Sequence, residues 1–341
     1  MTVLITDPFN IIADPTMPFL SGALDPVQVQ PQFAHHLPPH LNTAQLRAIR
    51  VIRHKPGRRC LIEYDLEMNP SGSSQLITLI GKVRAKGTDV FSYRLQHALW
   101  NAGFTADSED GISVPEPVAA IPAFHMWLQH KVPGTIATQL LPQPNGVTLA
   151  QRIAEAADKL HRAGIPSHRR HTIVDELQIL HDRLPLILQQ HPTWQQRLED
   201  ILDACDRLGS AMPQPNLQGI HRDFYPDQII VDGDRLYLLD LDLYCEGDPS
   251  LDIGNFIGHI TEQSLRTLGS IHTLADREAA LENHFLRLNP ATTQLSIQAY
   301  TTLTLVRHIY LSTQFPNRRP FTQSLLELCE HRLAQLWSRV H

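Results

Sequence analysis

The sequence predicts an α+β protein of two lobes, a small antiparallel β lobe followed by a mainly α lobe. Three features carry that expectation. Residues 48–68 form two alternating apolar runs around a Pro-Gly turn. A third such run and a helix-period run follow them, and most of the chain beyond residue 135 repeats apolar residues at helical spacing. At 341 residues, with 42% hydrophobic and 19% charged side chains, the chain is long and apolar enough to bury a large core.

Residues 1–43 are rich in proline and hold neither period over a useful length, so they read as an irregular N-terminal arm. In FAHHLPPH the prolines would hold His35, His36 and His40 extended, with no acidic or cysteine companion, which favours a packed or solvated arm over a metal site. The N-lobe is assigned to residues 44–128. Its first two strands lie in AIRVIRHKPGRRCLIEYDLEM, the polar loop NPSGSSQ follows, and LITLIGKVRAK supplies a third strand. In TDVFSYRLQHALW a Thr-Asp cap precedes Phe91, Leu95, Ala98 and Leu99 on one helical face. The run AFHMWLQHKVPG reads as a strand leaving this lobe through a hinge at 129–134. Residues 135–341 then form the helical C-lobe. In it, GVTLAQRIAEAADKLHRAGIP has Leu149, Ile153, Ala156 and Leu160 in helical phase and a Gly-Ile-Pro stop, and segments around 173–191, 194–209, 276–288 and 298–313 share the rhythm.

Charge and cysteine usage narrow the function. The 29 Lys and Arg against 35 Asp and Glu give a net charge of -6, which argues against a general nucleic-acid binder, whose basic surface must displace counterions from phosphates. Cys60, Cys205, Cys245 and Cys329 are scattered without a CxxC pair, so neither a zinc site nor a disulfide framework is suggested. No basic segment with an apolar core opens the chain and no stretch approaches 18 consecutive apolar residues, so a soluble cytoplasmic protein without a membrane partner is expected.

The stretch GIHRDFYPDQIIVDGDRLYLLDLDLYCEGDP, residues 219–249, interrupts the helical rhythm. QIIV and RLYLLDLDL are short apolar runs joined by Asp232-Gly233-Asp234, a hairpin signal. His221 to Gln228 form the loop before the first strand. Asp240 and Asp242 stand at the end of the second, on one face of it by strand alternation. Two carboxylates at the end of a buried strand are costly unless a cation or several donors neutralise them.

HRDFYPDQ, followed by a strand and then LLDLDLYCEGDPSLDIGNF, resembles the HxDxxxxN catalytic loop and the metal-binding run of the aminoglycoside phosphotransferase and choline kinase family, which has the protein-kinase-like fold. The resemblance covers roughly residues 48–315. It implies that Asp223 is catalytic, orienting and helping to deprotonate an acceptor hydroxyl, and that Asp240 binds the magnesium that bridges the phosphates of ATP. It puts Gln228 at the second metal-ligand position and Asp252 at a later structural aspartate. Lys82 would contact the α- and β-phosphates, and Arg58, Gln129 and Val132 would complete the nucleotide side. Phosphoryl transfer asks for such a set on physical grounds, because it needs charge placed at the phosphates and an acceptor held in line. Magnesium takes hard oxygen ligands, and a free carboxylate serves the hydroxyl.

Other residues have blander readings. His221 reads as a structural support of its loop, Asp242 as a solvated neighbour of the strand end in preference to a second carboxylate on the metal, and SHRRH at 167–171 as a polar loop. The basic turn RHKPGRR is a candidate cover for phosphates, with a solvated turn as the alternative, since neither GxGxxG nor GxxxxGK[ST] is present.

Two departures from the family pattern keep a catalytically weak or inactive nucleotide-binding homologue as the alternative. Gln228 stands where Asn is usual, which moves the amide oxygen outward by about 1.5 Å. The helix after Lys82 has no glutamate to pair with it, and Asp89 lies at its very start. A protein kinase is disfavoured, because the few residues between Asp240 and Gly247-Asp248-Pro249 leave no room for a long activation segment. Residues 255–341 carry six acids (Glu262, Asp276, Glu278, Glu282, Glu327, Glu330) against eight arginines (Arg266, Arg277, Arg287, Arg307, Arg318, Arg319, Arg332, Arg339). That excess favours a neutral or anionic hydroxylated acceptor, such as a sugar or polyol, over a polycationic aminoglycoside. The expected protein is an ATP- and Mg2+-dependent small-molecule O-phosphotransferase.

Overall fold

The computed structural model describes residues 2–68 and 75–340, the last two by backbone alone. All of the loop NPSGSSQ except Gln75 lies outside the described residues. The chain divides into two compact units, residues 1–133 and 134–341.

In the first unit, β1 (Leu4–Thr6), α1 (Leu20–Leu24) and α2 (Pro26–His36) precede β2 (Gln45–Lys55), β3 (Arg59–Met68) and β4 (Gln75–Arg84). After them come α3 (Val90–Asn101), β5 (Ile112–Ser113), β6 (Pro117–Ile121) and β7 (Met126–His130). The principal sheet has the order β1-β2-β3-β4-β7-β6. It is antiparallel apart from β1, which pairs parallel with β2 at Ala48–Arg50. The β2–β3 turn falls at the Pro-Gly pair, with Lys55 opposite Arg59 and Gly57 at φ 64, a conformation glycine adopts without a Cβ penalty. Asp89 caps α3, accepting from the Ser92 N–H at 3.0 Å, as the Thr-Asp signal anticipates. Gln129 and His130, expected in the hinge, still belong to β7.

The irregular arm expected at residues 1–43 is corrected by this unit. Asp25 caps α2 through the Val27 N–H at 3.0 Å and Pro26 occupies its first turn, a proline position that costs the helix no hydrogen bond. Met17, Leu20, Val29 and Phe33 join Ile49, Ile62, Tyr64 and Leu79 in one core, so the segment covers a face of the sheet. Tyr64 donates to the Ala23 carbonyl at 2.9 Å, and Gln30 bridges the Ala44 carbonyl and the Leu46 N–H, both at 2.9 Å. His35 and His36 are in the last turn of α2 and not in an extended run. Among the described residues no group of three or more His, Cys, Asp or Glu side chains is arranged to hold a metal.

In the second unit, β8 (Thr135–Ile136) and α4 (Ala137–Leu140) lead into α5 (Gly146–Arg162), α6 (Ile173–Arg183) and α7 (Gln195–Ala211). Then come β9 (Gln218–Ile220), β10 (Ile229–Asp232), β11 (Arg235–Leu238) and β12 (Cys245–Gly247). The helices α8 (Pro249–Leu268), α9 (Ala275–Leu288), α10 (Gln294–Gln314) and α11 (Thr322–Val340) complete it. Ile153, Ala156 and Leu160 of α5 are buried, as their phase requires. The β10–β11 hairpin turns at Gly233, φ 57, and β9 pairs with β12. The expected helices do not include α8 and α11. In α8, buried on almost every side, Gly254 and Gly258 let α10 approach. A Cβ at Gly254 would lie 2.6 Å from that of Tyr300, and one at Gly258 2.7 Å from Thr304 Cγ2. No described helix is long and apolar enough to cross a membrane.

Candidate active site

The loop 221–228 is held from behind by one carboxylate. Asp252, fully buried in the first turn of α8, accepts from the N–H of His221 at 2.8 Å and the N–H of Arg222 at 2.7 Å, and lies 2.8 Å from Nε2 of His161 on α5. Asp248 caps α8, accepting from the Ser250 N–H at 2.9 Å, and its burial pushes its carboxyl above the usual carboxylate range. The His221 ring is buried and its Nε2 donates to the Leu239 carbonyl at 2.8 Å, which ties the loop to the chain just before Asp240. Asn255, one turn beyond Asp252, donates to the Phe224 carbonyl at 2.9 Å. The sequence expectation of a structural His221 agrees with these contacts.

Backbone geometry singles out the same residues. Of the described non-glycine residues with positive φ, the second unit contains Arg222 (φ 70) and Asp240 (φ 52). Such backbone is unfavourable outside glycine and persists where surrounding bonds enforce it, as the Asp252 bond does at Arg222. β11 ends at Leu238, so Asp240 and Asp242 do not alternate along a strand. Asp240 instead opens the 3₁₀ turn Leu241–Leu243. The reading of Asp242 as solvated is corrected as well, since its carboxylate oxygens are buried. Arg169, in the SHRRH loop, donates to the Asp242 carbonyl at 2.7 Å.

The second unit brings Gln228 and Asp240 to one end of the β10–β11 pair. Ile229 faces Leu238, and the Leu239 N–H donates to the Gln228 carbonyl at 2.9 Å, so the two residues leave the ladder side by side. A carboxylate and an amide oxygen are the hard donors that magnesium accepts alongside phosphate and water. Asp223 lines a pocket of about 400 Å³, together with Tyr225, His259, Arg266, Arg307 and Arg318. His259 stacks on Tyr225 at 4.6 Å between ring centroids, and it also meets His308 in a T-shaped contact at 4.5 Å.

The candidate nucleotide-side residues belong to the first unit. Lys82 lies in β4 opposite Trp127, with its Nζ 4.8 Å from the centre of the indole ring. Arg58 is exposed on the β2–β3 turn, and its N–H donates to the Lys55 carbonyl at 3.0 Å. Gln129 is buried within β7 and its Oε1 lies 3.5 Å from Nε2 of Gln96 on α3, while Val132 is half-buried after β7. Asp89 serves as the cap of α3 and stands 3.6 Å from Arg84.

Sequence reasoning missed His161, Asn255 and His259 as residues around this loop and pocket, and it counted Arg266 and Arg318 only in the charge of residues 255–341. A signal existed for most of them. Asp252, Asn255, His259, Glu262 and Arg266 recur at intervals of three and four residues, a stripe of charged, amide and imidazole side chains along α8. His161 has no such signal.

The family model of the phosphotransferase enzyme family matches residues 93–291, more than half of the chain. No curated protein matches the sequence. Among solved structures, a Ralstonia eutropha chain assigned to the aminoglycoside phosphotransferases is similar with a TM-score of 0.65 at 12% identity, covering 91% of this chain and 98% of that one. Choline kinase from Cryptosporidium parvum gives 0.57 at 11% identity, over 92% and 97%. A glucosamine kinase solved with glucosamine, ADP and inorganic phosphate gives 0.52 at 14% identity, over 79% and 76%. The two-lobed protein-kinase-like fold expected from HRDFYPDQ and its partner run is the fold of these neighbours.

Proposed function

The chain belongs to the phosphotransferase enzyme family, and on that premise we propose that it transfers the γ-phosphoryl group of ATP to a hydroxyl of a small molecule. Asp223 orients the acceptor hydroxyl and takes its proton as the oxygen attacks the γ-phosphorus, giving a phosphorylated acceptor and ADP. Asp240 and Gln228 would hold magnesium, which when bound neutralises charge on the phosphate oxygens. Lys82 contributes charge at the α- and β-phosphates, and Arg58, Gln129 and Val132 belong to the nucleotide side. A sugar or polyol is favoured over an aminoglycoside as acceptor.

The observation that carries this reading is the restrained loop. Asp252 fixes the backbone on the N-terminal side of Asp223, and Asp223 lines a pocket large enough for a small hydroxylated molecule. Gln228 in the metal-ligand position is the observation that favours a second reading, an inactive nucleotide-binding module.

A screen of sugars, polyols and aminoglycosides at equal concentration with ATP and Mg2+ tests the proposal. Asp223→Ala should lower turnover by about 10²- to 10⁴-fold and leave nucleotide binding intact. Asp240→Ala should also weaken magnesium-dependent nucleotide binding. Full turnover by Asp223→Ala would remove its catalytic assignment, and metal-independent nucleotide binding without any product would favour the inactive module.

A further inference from the structure

Three guanidinium groups that are distant in sequence meet on the wall that holds Asp223. Arg266 comes from α8, Arg307 from α10 and Arg318 from the turn after α10, with side chains 22%, 20% and 29% exposed, so each keeps an open edge. Two carboxylates beside them, Glu262 and Glu176, are already engaged. Glu262, buried, accepts from Arg266 Nε at 2.9 Å and Nη2 at 3.4 Å and lies 3.9 Å from Arg318. Glu176, also buried, lies 3.4 Å from Arg307 and 2.6 Å from Nε2 of His171, and Arg307 donates a further bond to Asn255 at 2.6 Å. The exposed Asp227 accepts from the Thr138 hydroxyl. Asp223 and Asp227 also line the pocket, so its positive charge is local to the three guanidinium groups, where Glu262 and Glu176 are paired behind them.

We propose that Arg266, Arg307 and Arg318 form an oxyanion subsite, so that the acceptor phosphorylated beside Asp223 is a hydroxylated small molecule bearing a carboxylate or a phosphate. The subsite rests on the phosphotransferase reading for its purpose and adds the charge of the substrate. A guanidinium presents five N–H donors in one plane, and the bonds above use two on Arg266 and two on Arg307. An ammonium group placed against the three guanidinium groups would meet like charge, with Glu262 and Glu176 already paired. The neighbouring imidazoles add no positive charge of their own. Burial first, and then Arg307, Arg318 and Arg266, push His259 down to about 3, and His308 behind it is pushed down by burial, His259 and the same arginines. Both rings are therefore held neutral first by burial, and the three arginines act in the same direction.

Calorimetry on the full chain without nucleotide, with inorganic phosphate as the probe, tests the subsite. Arg318 is the residue to change, because its 3.9 Å approach to Glu262 makes it the least tied of the three. R318Q should weaken phosphate binding about tenfold, the scale of one charge-assisted bond. R318K should recover part of it, and Glu262→Gln, which keeps an acceptor for Arg266, should tighten it. Glucuronate and glucose 6-phosphate should displace phosphate while glucosamine does not, and the stronger of the two acids identifies the preferred oxyanion. Absence of phosphate binding, equal binding by wild type and R318Q, or displacement by glucosamine as effective as by the acids would overturn the proposal. The two readings fail separately. An R318Q-sensitive anion site in a chain that phosphorylates nothing would keep the subsite and sink the phosphotransferase, whereas efficient turnover of cationic acceptors without phosphate binding would do the reverse.

Discussion

Asp252→Asn is expected to loosen the catalytic loop while leaving the helical unit folded. The carboxylate accepts through Oδ2 from the His221 N–H and His161, and through Oδ1 from the Arg222 N–H. An amide of the same size offers a single acceptor oxygen, so its NH2 group must face a buried donor. One stranded donor costs about 1–3 kcal/mol, and the bonds that remain lose the strengthening that a charged acceptor provides. The loop should therefore open more easily by roughly 2–4 kcal/mol, since every 1.4 kcal/mol is tenfold in an equilibrium. Amide hydrogen exchange reads this directly: the His221 and Arg222 N–H groups should exchange on the order of 10²-fold faster than in the wild type. Arg222 would also lose the bond that enforces its positive φ, which costs roughly 1–2 kcal/mol for an ordinary residue, so Asp223 should shift and turnover should fall. Exchange at these two amides within about twofold of the wild type, with exchange elsewhere unchanged, would refute the assignment of Asp252 as the anchor of the loop.

Three further outcomes are expected. Gln228→Ala should reduce the enhancement of nucleotide affinity by Mg2+, measured by titration with and without the ion, and an unchanged enhancement would exclude Gln228 as a ligand. Glu278, on α9, is pushed up to about 7 by burial against its ordinary 4.5, so between these values the folded chain keeps a proton that the unfolded chain has released. Stability should then fall as pH rises through that window, by up to roughly 3 kcal/mol, and Glu278→Gln should remove the slope in denaturant midpoints taken at pH 5 and pH 8. Gly219→Ala would bring a Cβ to 1.8 Å from the hydroxyl of Tyr244, which donates to the Ile165 carbonyl at 2.9 Å. A loss of about 1–3 kcal/mol in unfolding free energy is expected, partly recovered by Tyr244→Phe in the same chain.

Much of the fold and of the candidate loop is written in local chemistry. The Pro-Gly turn between β2 and β3, the Asp-Gly turn between β10 and β11 and the Asp89 cap each act within four residues, and each lies where the sequence anticipates it. The amphipathic α5 is legible for a related reason, since one face meets the core and the other water. HRDFYPDQ and LLDLDLYCEGDPSLDIGNF point to a phosphotransferase by their resemblance to that family in residue type and spacing alone.

Where burial is complete, the period disappears. Residues on almost every side of α8 are enclosed, so its apolar residues mark no face, and its polar stripe gains a meaning only once α10 and the loop lie beside it. The N-terminal segment looked irregular because its prolines mask a helix whose buried positions, Val29 and Phe33, are few and are satisfied by strands more than a dozen residues away. Asp240 looked like a strand residue because alternation continues through LLDLDL, although the backbone leaves the strand after Leu238. The charge of the pocket is the clearest division. The sequence by itself supplied a surplus of arginine over residues 255–341, while the pairing of Arg307 with Glu176 and of Arg266 with Glu262 decided which charges remain for a ligand. The first of those pairs spans 131 residues, and a contact of that range is fixed by packing and by no local pattern.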